Sequence, residues 1–252
     1  MTTTAAPKSI EPIEQALQRA AVYDLLARAL AYPDAATFAS LLETGRMAGP
    51  LLAGTPAEEV LRLIDGLERE ELEASHIRVF TLSCSPDCPT FETAFLSNDP
   101  AQQTGRMGDI AGFYRAFGVD PATPGFRPDD ISVELEFMGY LCRKEVHAAE
   151  HLGAPRVGQV RRAERMFLQE HLGRWGAPLG RRIAQRSMAE RFYFTAGEAM
   201  ADWLDAECER LDCGPIDRVD APQMTWEEPG SANDLLEDDD AELIAFEDIP
   251  VV

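Results

Sequence analysis

Apolar side chains recur at every third or fourth position along most of this chain, and nowhere do they alternate over the length of a strand. A period near 3.6 lines up one face of a helix, whereas a period of two lines up one face of a strand. From Ile10 to Ala31 the stripe is Ile13, Leu17, Ala20, Ala21, Leu25 and Ala29 or Leu30, and Tyr32-Pro33-Asp34 ends it, because a residue before proline avoids the helical region. A shorter helix to about Glu43 follows, then a helical region that opens at Thr55-Pro56. Met107, Ile110, Ala111, Tyr114 and Phe117 form the next stripe, with Gly118 placed to cap its end. Gly105, Gly108 and Gly112 weaken that helix by roughly 1 kcal/mol each against alanine, so close backbone packing is their expected role. Further helices are expected over about 156–173, 178–190 and 192–211. With no hairpin signal and no internal repeat, the pattern predicts one all-α helical bundle domain over residues 1–214.

The stretch RPDDISVELEFMGYLCRKE, from Arg127 to Glu145, stands out among these helices. Ile131, Leu135, Met138, Cys142 and Val146 make one stripe, and Val133, Phe137, Tyr140 and Leu141 widen it well beyond a single face. A helix apolar over most of its circumference belongs at the centre of a bundle. Asp129 or Asp130 is placed to cap its start. Glu134 falls at the margin of the apolar arc, while Glu136 lies on the polar side. An unpaired buried charge is costly, so Glu134 is the acid expected to need a partner.

Charge narrows the function classes. The 252 residues carry a formal net charge of -21, which argues against a nucleic-acid surface and favours cationic partners. No run approaches the ~20 apolar residues of a membrane span, so membrane insertion is not expected. The start MTTTAAPKSIEPIEQ has no basic region followed by an apolar run, which points to the cytoplasm. Residues 215–252 hold twelve acids against Arg218 alone. Such a composition buries too little apolar surface to offset chain entropy, so a disordered acidic tail is expected there.

Catalytic signals are scarce. The five cysteines are an odd number in a long chain and read as thiols. Cys84 and Cys88 have metal-like spacing, but zinc needs a second pair or two histidines, so no metal and no other cofactor is expected. His147 and His151 read as an exposed helix face. No phosphate loop, dinucleotide fingerprint or nucleophile elbow is present, and the reading is that the chain is not an enzyme. Aromatic residues are more informative. Phe91, Phe95, Phe113, Tyr114, Phe117, Phe126 and Phe137 interleave with Glu92, Asp109, Asp129, Asp130, Glu134 and Glu136. This pattern fits a core seam with a solvated rim. It also fits a groove with an apolar floor and acidic walls, suited to a peptide with an apolar run and flanking arginines.

Three segments, CPTFETAF (88–95), MGDIAGFYRAFGV (107–119) and RPDDISVELEFMGYL (127–141), resemble in order and spacing the TorD/DmsD/NarJ-type chaperones. The similarity is greatest to the branch accompanying ethylbenzene dehydrogenase, dimethylsulfide dehydrogenase and chlorate-reductase-like enzymes. YDLLARALAYPD near the start, and FLQEHLGRW and FYFTAGEAMADWL later, extend the resemblance over about residues 10–212. It implies an all-helical cytoplasmic protein, monomer or homodimer, that binds the apo catalytic subunit of a DMSO-reductase-type molybdenum oxidoreductase. Binding to the subunit's twin-arginine signal peptide, until the cofactor is inserted, is part of the same implication. The residues it singles out for partner contact are Phe91, Glu92, Tyr114, Phe117, Asp129, Asp130 and Glu134. Replacing Asp129 and Asp130 together by alanine is expected to weaken binding more than folding. Two departures stand out: Asp129-Asp130 replaces the Asp-His of several relatives, and Phe91 replaces a tyrosine. The alternatives are a helical structural subunit retained in the mature oxidoreductase complex, and a metal-dependent enzyme using Cys84, Cys88 and the histidines.

Overall fold

The computed structural model describes residues 11–80, 88–119 and 127–222. Within them lie ten α-helices and no strand longer than an isolated bridge. They are α1 (Glu11–Leu30), α2 (Ala35–Ala48), α3 (Ala57–Ile64), α4 (Arg69–Phe80) and α5 (Glu92–Leu96), followed by α6 (Pro100–Ala116), α7 (Ile131–His147), α8 (Ala154–Glu170), α9 (Leu172–Arg186) and α10 (Arg191–Arg210). The all-α bundle read from the periodicity is what the chain forms. None of these helices is long and apolar enough to cross a membrane. Cys84, Phe126 and residues 223–252 of the acidic segment lie outside the described residues.

Two tightly packed helix pairs make the core: α1 runs along α7, and α9 along α10, with α8 bridging α7 and α9. Glycine lets both pairs close. An added Cβ at Gly139 of α7 would lie 2.6 Å from the Asp24 carboxylate of α1. On α9 and α10, an added Cβ at Gly180 would sit 2.6 Å from the Gly197 carbonyl oxygen, and the converse holds at Gly197. The wide apolar arc of α7 buries Ile131, Leu135, Phe137, Met138, Leu141 and Cys142.

One feature of the core is polar. Arg19 of α1 is buried, and its guanidinium donates to Glu207 of α10 at 2.8–3.0 Å, Glu145 of α7 at 2.9 Å and Glu164 of α8 at 2.6 Å. Arg161 and Arg210 close the network from the rim, at 2.6 Å from Glu145 and Glu207 respectively. Three buried carboxylates therefore meet three guanidinium groups, which offsets the cost of taking those charges out of water.

Pro178 does not start a helix, as its position suggested; it lies inside α9. Proline has no N–H to give the carbonyl four residues back, which is that of Arg174. Val219 supplies the missing donor, at 2.9 Å. That contact belongs to a segment after α10 that lies along α9: Ile216 and Val219 pack on the core, and Arg218 pairs with Asp205 at 2.6 Å. The packed chain thus continues past residue 214, where the domain was expected to end, through the first residues of the acidic segment.

Candidate functional site

The CPTFE loop is clipped to the head of α7 by two backbone hydrogen bonds, Glu92 N–H to the Asp129 carbonyl at 2.8 Å and Ile131 N–H to the Thr90 carbonyl at 2.7 Å. The two aspartates then divide. Asp130 is the N-cap, accepting from the Ser132 N–H at 2.9 Å and from the Thr90 hydroxyl at 2.8 Å. Asp129 turns inward and is buried, accepting from the Thr93 hydroxyl at 2.7 Å and from Arg127 at 3.0 Å. Arg127 also stacks over the half-buried Phe91 ring, 4.0 Å from its centroid, a cation–π contact that orients the loop.

Glu92 and Glu134 are buried as well. Glu92 pairs with Arg106 of α6 at 3.2 Å and with Nδ1 of His171, at the α8–α9 junction, at 3.1 Å. Glu134 accepts from the Trp175 indole N–H at 3.3 Å through one oxygen, while the other has no partner. Burial, reinforced by the charges of Glu92 and Asp129, holds the Glu134 carboxyl well above the usual carboxylate range. Tyr114 is buried too, and its hydroxyl donates to the Pro128 carbonyl at 2.7 Å. Burial, with Glu134 and Glu92 nearby, pushes that phenol up. All four acids singled out in sequence therefore meet partners within this chain, and of them only Asp130 stays partly exposed.

Above this buried layer, α6 and α8 stand apart around an open cleft of about 980 Å³ that ends at His171. Phe113, Phe117 and Met166 supply its apolar surface; Asp109, Arg162 and Glu170 carry charge on its walls. Gly105, Gly108 and Gly112 all line it, and an added Cβ at any of them would meet nothing within 4 Å. This corrects the close-packing role expected of them: they face open space. Glu92 lies beneath the cleft, because Arg106 and His171, its two partners, both line it. Of the seven residues singled out in sequence, Phe117 alone lines this cleft, and Asp130 lines a smaller one of about 400 Å³ with Arg127, Tyr32 and His76.

Sequence reasoning counted Asp109 among the acids of a groove but missed Arg162, Met166, Glu170 and His171 as cleft residues. The signal was present in part. Glycines at i, i+3 and i+7 of α6 share one helix face, and Arg162, Met166 and Glu170 share one on α8. Nothing in the spacing says that these two faces oppose each other. Among the described residues, no three His, Cys, Asp or Glu side chains are grouped to hold a metal ion. Cys88 is buried, and its metal-spaced neighbour Cys84 is outside the described residues.

The profile of the family described as nitrate reductase delta subunit matches residues 51–179, a stretch that contains the loop, α6, α7 and the cleft. The perchlorate reductase assembly chaperone protein of Dechloromonas aromatica (strain RCB) is 30% identical over 217 residues, covering 80% of this chain and 93% of that protein. The chain belongs to this family. The selenate reductase assembly chaperone protein of Thauera selenatis is 28% identical over 191 residues, covering 75% of this chain and 87% of its own length. The chlorate reductase assembly chaperone protein of Ideonella dechloratans is 27% identical over 198 residues, covering 77% and 89%. Family and relatives alike place the chain among redox-enzyme assembly chaperones, and it is not an enzyme.

Proposed function

We propose that this chain binds the apo catalytic subunit of a DMSO-reductase-type molybdenum oxidoreductase in the cytoplasm, releases it after cofactor insertion, and is absent from the mature enzyme. The segment we assign to the α6–α8 cleft is the twin-arginine leader of that subunit. The observation that carries the assignment is the row of three glycines on α6. Each weakens its helix by roughly 1 kcal/mol and each borders empty space, so their common effect is a cleft that stays open. Phe113, Phe117 and Met166 would cover the leader's apolar run, worth about 25 cal/mol for each Å² removed from water. With Arg106 held by buried Glu92, the remaining wall charge is Asp109 and Glu170 against Arg162. That net negative edge suits guanidinium groups. Phe91, Tyr114, Asp129 and Glu134 then act as positioning residues, fixing the loop and the head of α7 against which α6 rests, and Asp130 presents the one partly exposed carboxylate of the set.

The test is a titration of a synthetic twin-arginine leader into the full chain and into Gly108→Leu. Leucine fills the cleft yet favours the helix by up to ~1 kcal/mol. The reading requires binding weakened tenfold or more with thermal stability kept or raised. Unchanged affinity in a folded Gly108→Leu protein would remove the cleft from the function.

A further inference from the structure

We propose that Cys208 and Cys213 form a thiol–disulfide exchange site that reacts with low-molecular-weight disulfides of the glutathione class. This stands apart from client binding and rests on different residues.

The pairing originates in the way α10 ends. Asp212 has φ +52°, its N–H reaches the Glu209 carbonyl at 3.1 Å, and the Cys213 N–H reaches the Cys208 carbonyl at 3.0 Å. This is the double hydrogen bond of a Schellman cap, which sets the side chains at its first and last positions against each other. Ordinarily that contact is hydrophobic; here it joins two sulfur atoms. The Cys213 thiol donates to the Arg165 carbonyl at 4.0 Å, and the Arg218 guanidinium, anchored on Asp205 at 2.6 Å, lines the same depression as the two cysteines. The neighbouring Cys213 side chain first, and then Arg218, hold the Cys208 thiol below its ordinary value. Both cysteines line an open depression of about 550 Å³, room for a small peptide disulfide to approach. Cys142 differs on every count: it is fully buried among α7 side chains, and burial pushes its thiol up. Cys208, 8% exposed at the edge of that depression, is a thiolate-prone cysteine beside a second thiol, the arrangement that supports disulfide exchange.

The reaction balances without any group beyond the oxidant. The Cys208 thiolate attacks one sulfur of glutathione disulfide, the external S–S bond breaks, and a glutathione thiolate leaves to take a proton from water. Cys213 gives its proton to solvent and attacks the Cys208 sulfur, expelling the second glutathione. Two protein thiols are oxidised and one external disulfide is reduced to two thiols. The product ties the last turn of α10 to the segment that lies along α9, at the residue whose carbonyl already accepts from Gln169 at 2.5 Å.

The experiment equilibrates the reduced full chain in glutathione buffers of increasing oxidised fraction, quenches with acid, alkylates, and maps the cysteines by peptide mass. A Cys208–Cys213 disulfide should be the first linkage to appear. Cys213→Ser should accumulate a stable glutathione adduct on Cys208, and Cys208→Ser should leave Cys213 unmodified. Arg218→Gln should slow adduct formation several-fold near neutral pH, with the gap closing at alkaline pH. First modification at Cys84, Cys88 or Cys142 would overturn the proposal. So would a folded Cys213→Ser protein, verified by circular dichroism, that forms no adduct at Cys208.

Discussion

Four helices meet at one guanidinium. Arg19 joins carboxylates from α7, α8 and α10 to α1; without it three buried acids would be left to the two rim arginines, with Glu164 reached only by Arg210 at 3.4 Å. Arg19→Met should destabilise the protein by about 3–5 kcal/mol, the usual cost of stranding buried charge, measured by urea unfolding. A loss under ~1 kcal/mol would show the three acids to be neutral or hydrated. Glu134 gives a prediction with a definite sign. Its folded carboxyl is raised by burial far above the unfolded value of 4.5. Above that value the unfolded chain has released the proton while the folded chain keeps it, so this group's contribution to stability falls as pH rises toward the folded value. Glu134→Gln should therefore match or exceed the wild type at pH 8, with a smaller difference at pH 5. Destabilisation at pH 8 would mean an ionised, paired carboxylate. The neighbouring aspartates separate by burial. Asp130→Ala should cost about 1 kcal/mol, as a lost cap. Asp129→Ala strands Arg127 and Thr93 and should cost about 1–3 kcal/mol, so the double replacement should lower stability as well as partner binding.

At the scale of helices, glycine does three different things that look alike in sequence. Gly180 and Gly197 bring α9 and α10 into backbone contact, so Gly180→Ala should overpack that crossing and cost about 1–3 kcal/mol. A thermal midpoint equal to wild type would mean the pair can spread freely. Gly118 caps α6 with φ +81°, and that role was legible because the apolar stripe stops one residue before it. Gly105, Gly108 and Gly112 face an opening, and this was not legible, because spacing reports which face a residue shares and not what stands across from it. Pro178 was misread for a related reason. A proline mid-helix is tolerated when another segment takes up the freed carbonyl, and Val219, 41 positions away, does so. The boundaries of α1 and α7 were readable because the proline after α1 and the aspartate before α7 are local signals. Arg19 was not readable: a charge on an apolar stripe announces that it needs partners, but Glu145, Glu164 and Glu207 come from three separate helices.

Taken whole, the chain sets a large negative charge around a core whose central guanidinium is fully paired while one Glu134 oxygen is not, and leaves a cleft lined by glycine and aromatic side chains. The three motifs that carried the family resemblance converge in space: the loop is tied to the head of α7, and Glu92 of the first reaches beneath the α6 segment of the second. Their residues mostly build the support of the cleft, and α8, outside all three, supplies its second wall. The central claim is that this chain holds an unfinished enzyme. Its most direct test is capture of the tagged protein's partners from its native cells, with molybdenum-cofactor supply intact and with it blocked. The account predicts one reductase catalytic subunit, enriched several-fold when cofactor is withheld and lost from the captured fraction when supply returns. Recovery of that subunit in equal amount under both conditions, loaded with cofactor and active, would make the chain a permanent subunit and contradict the account.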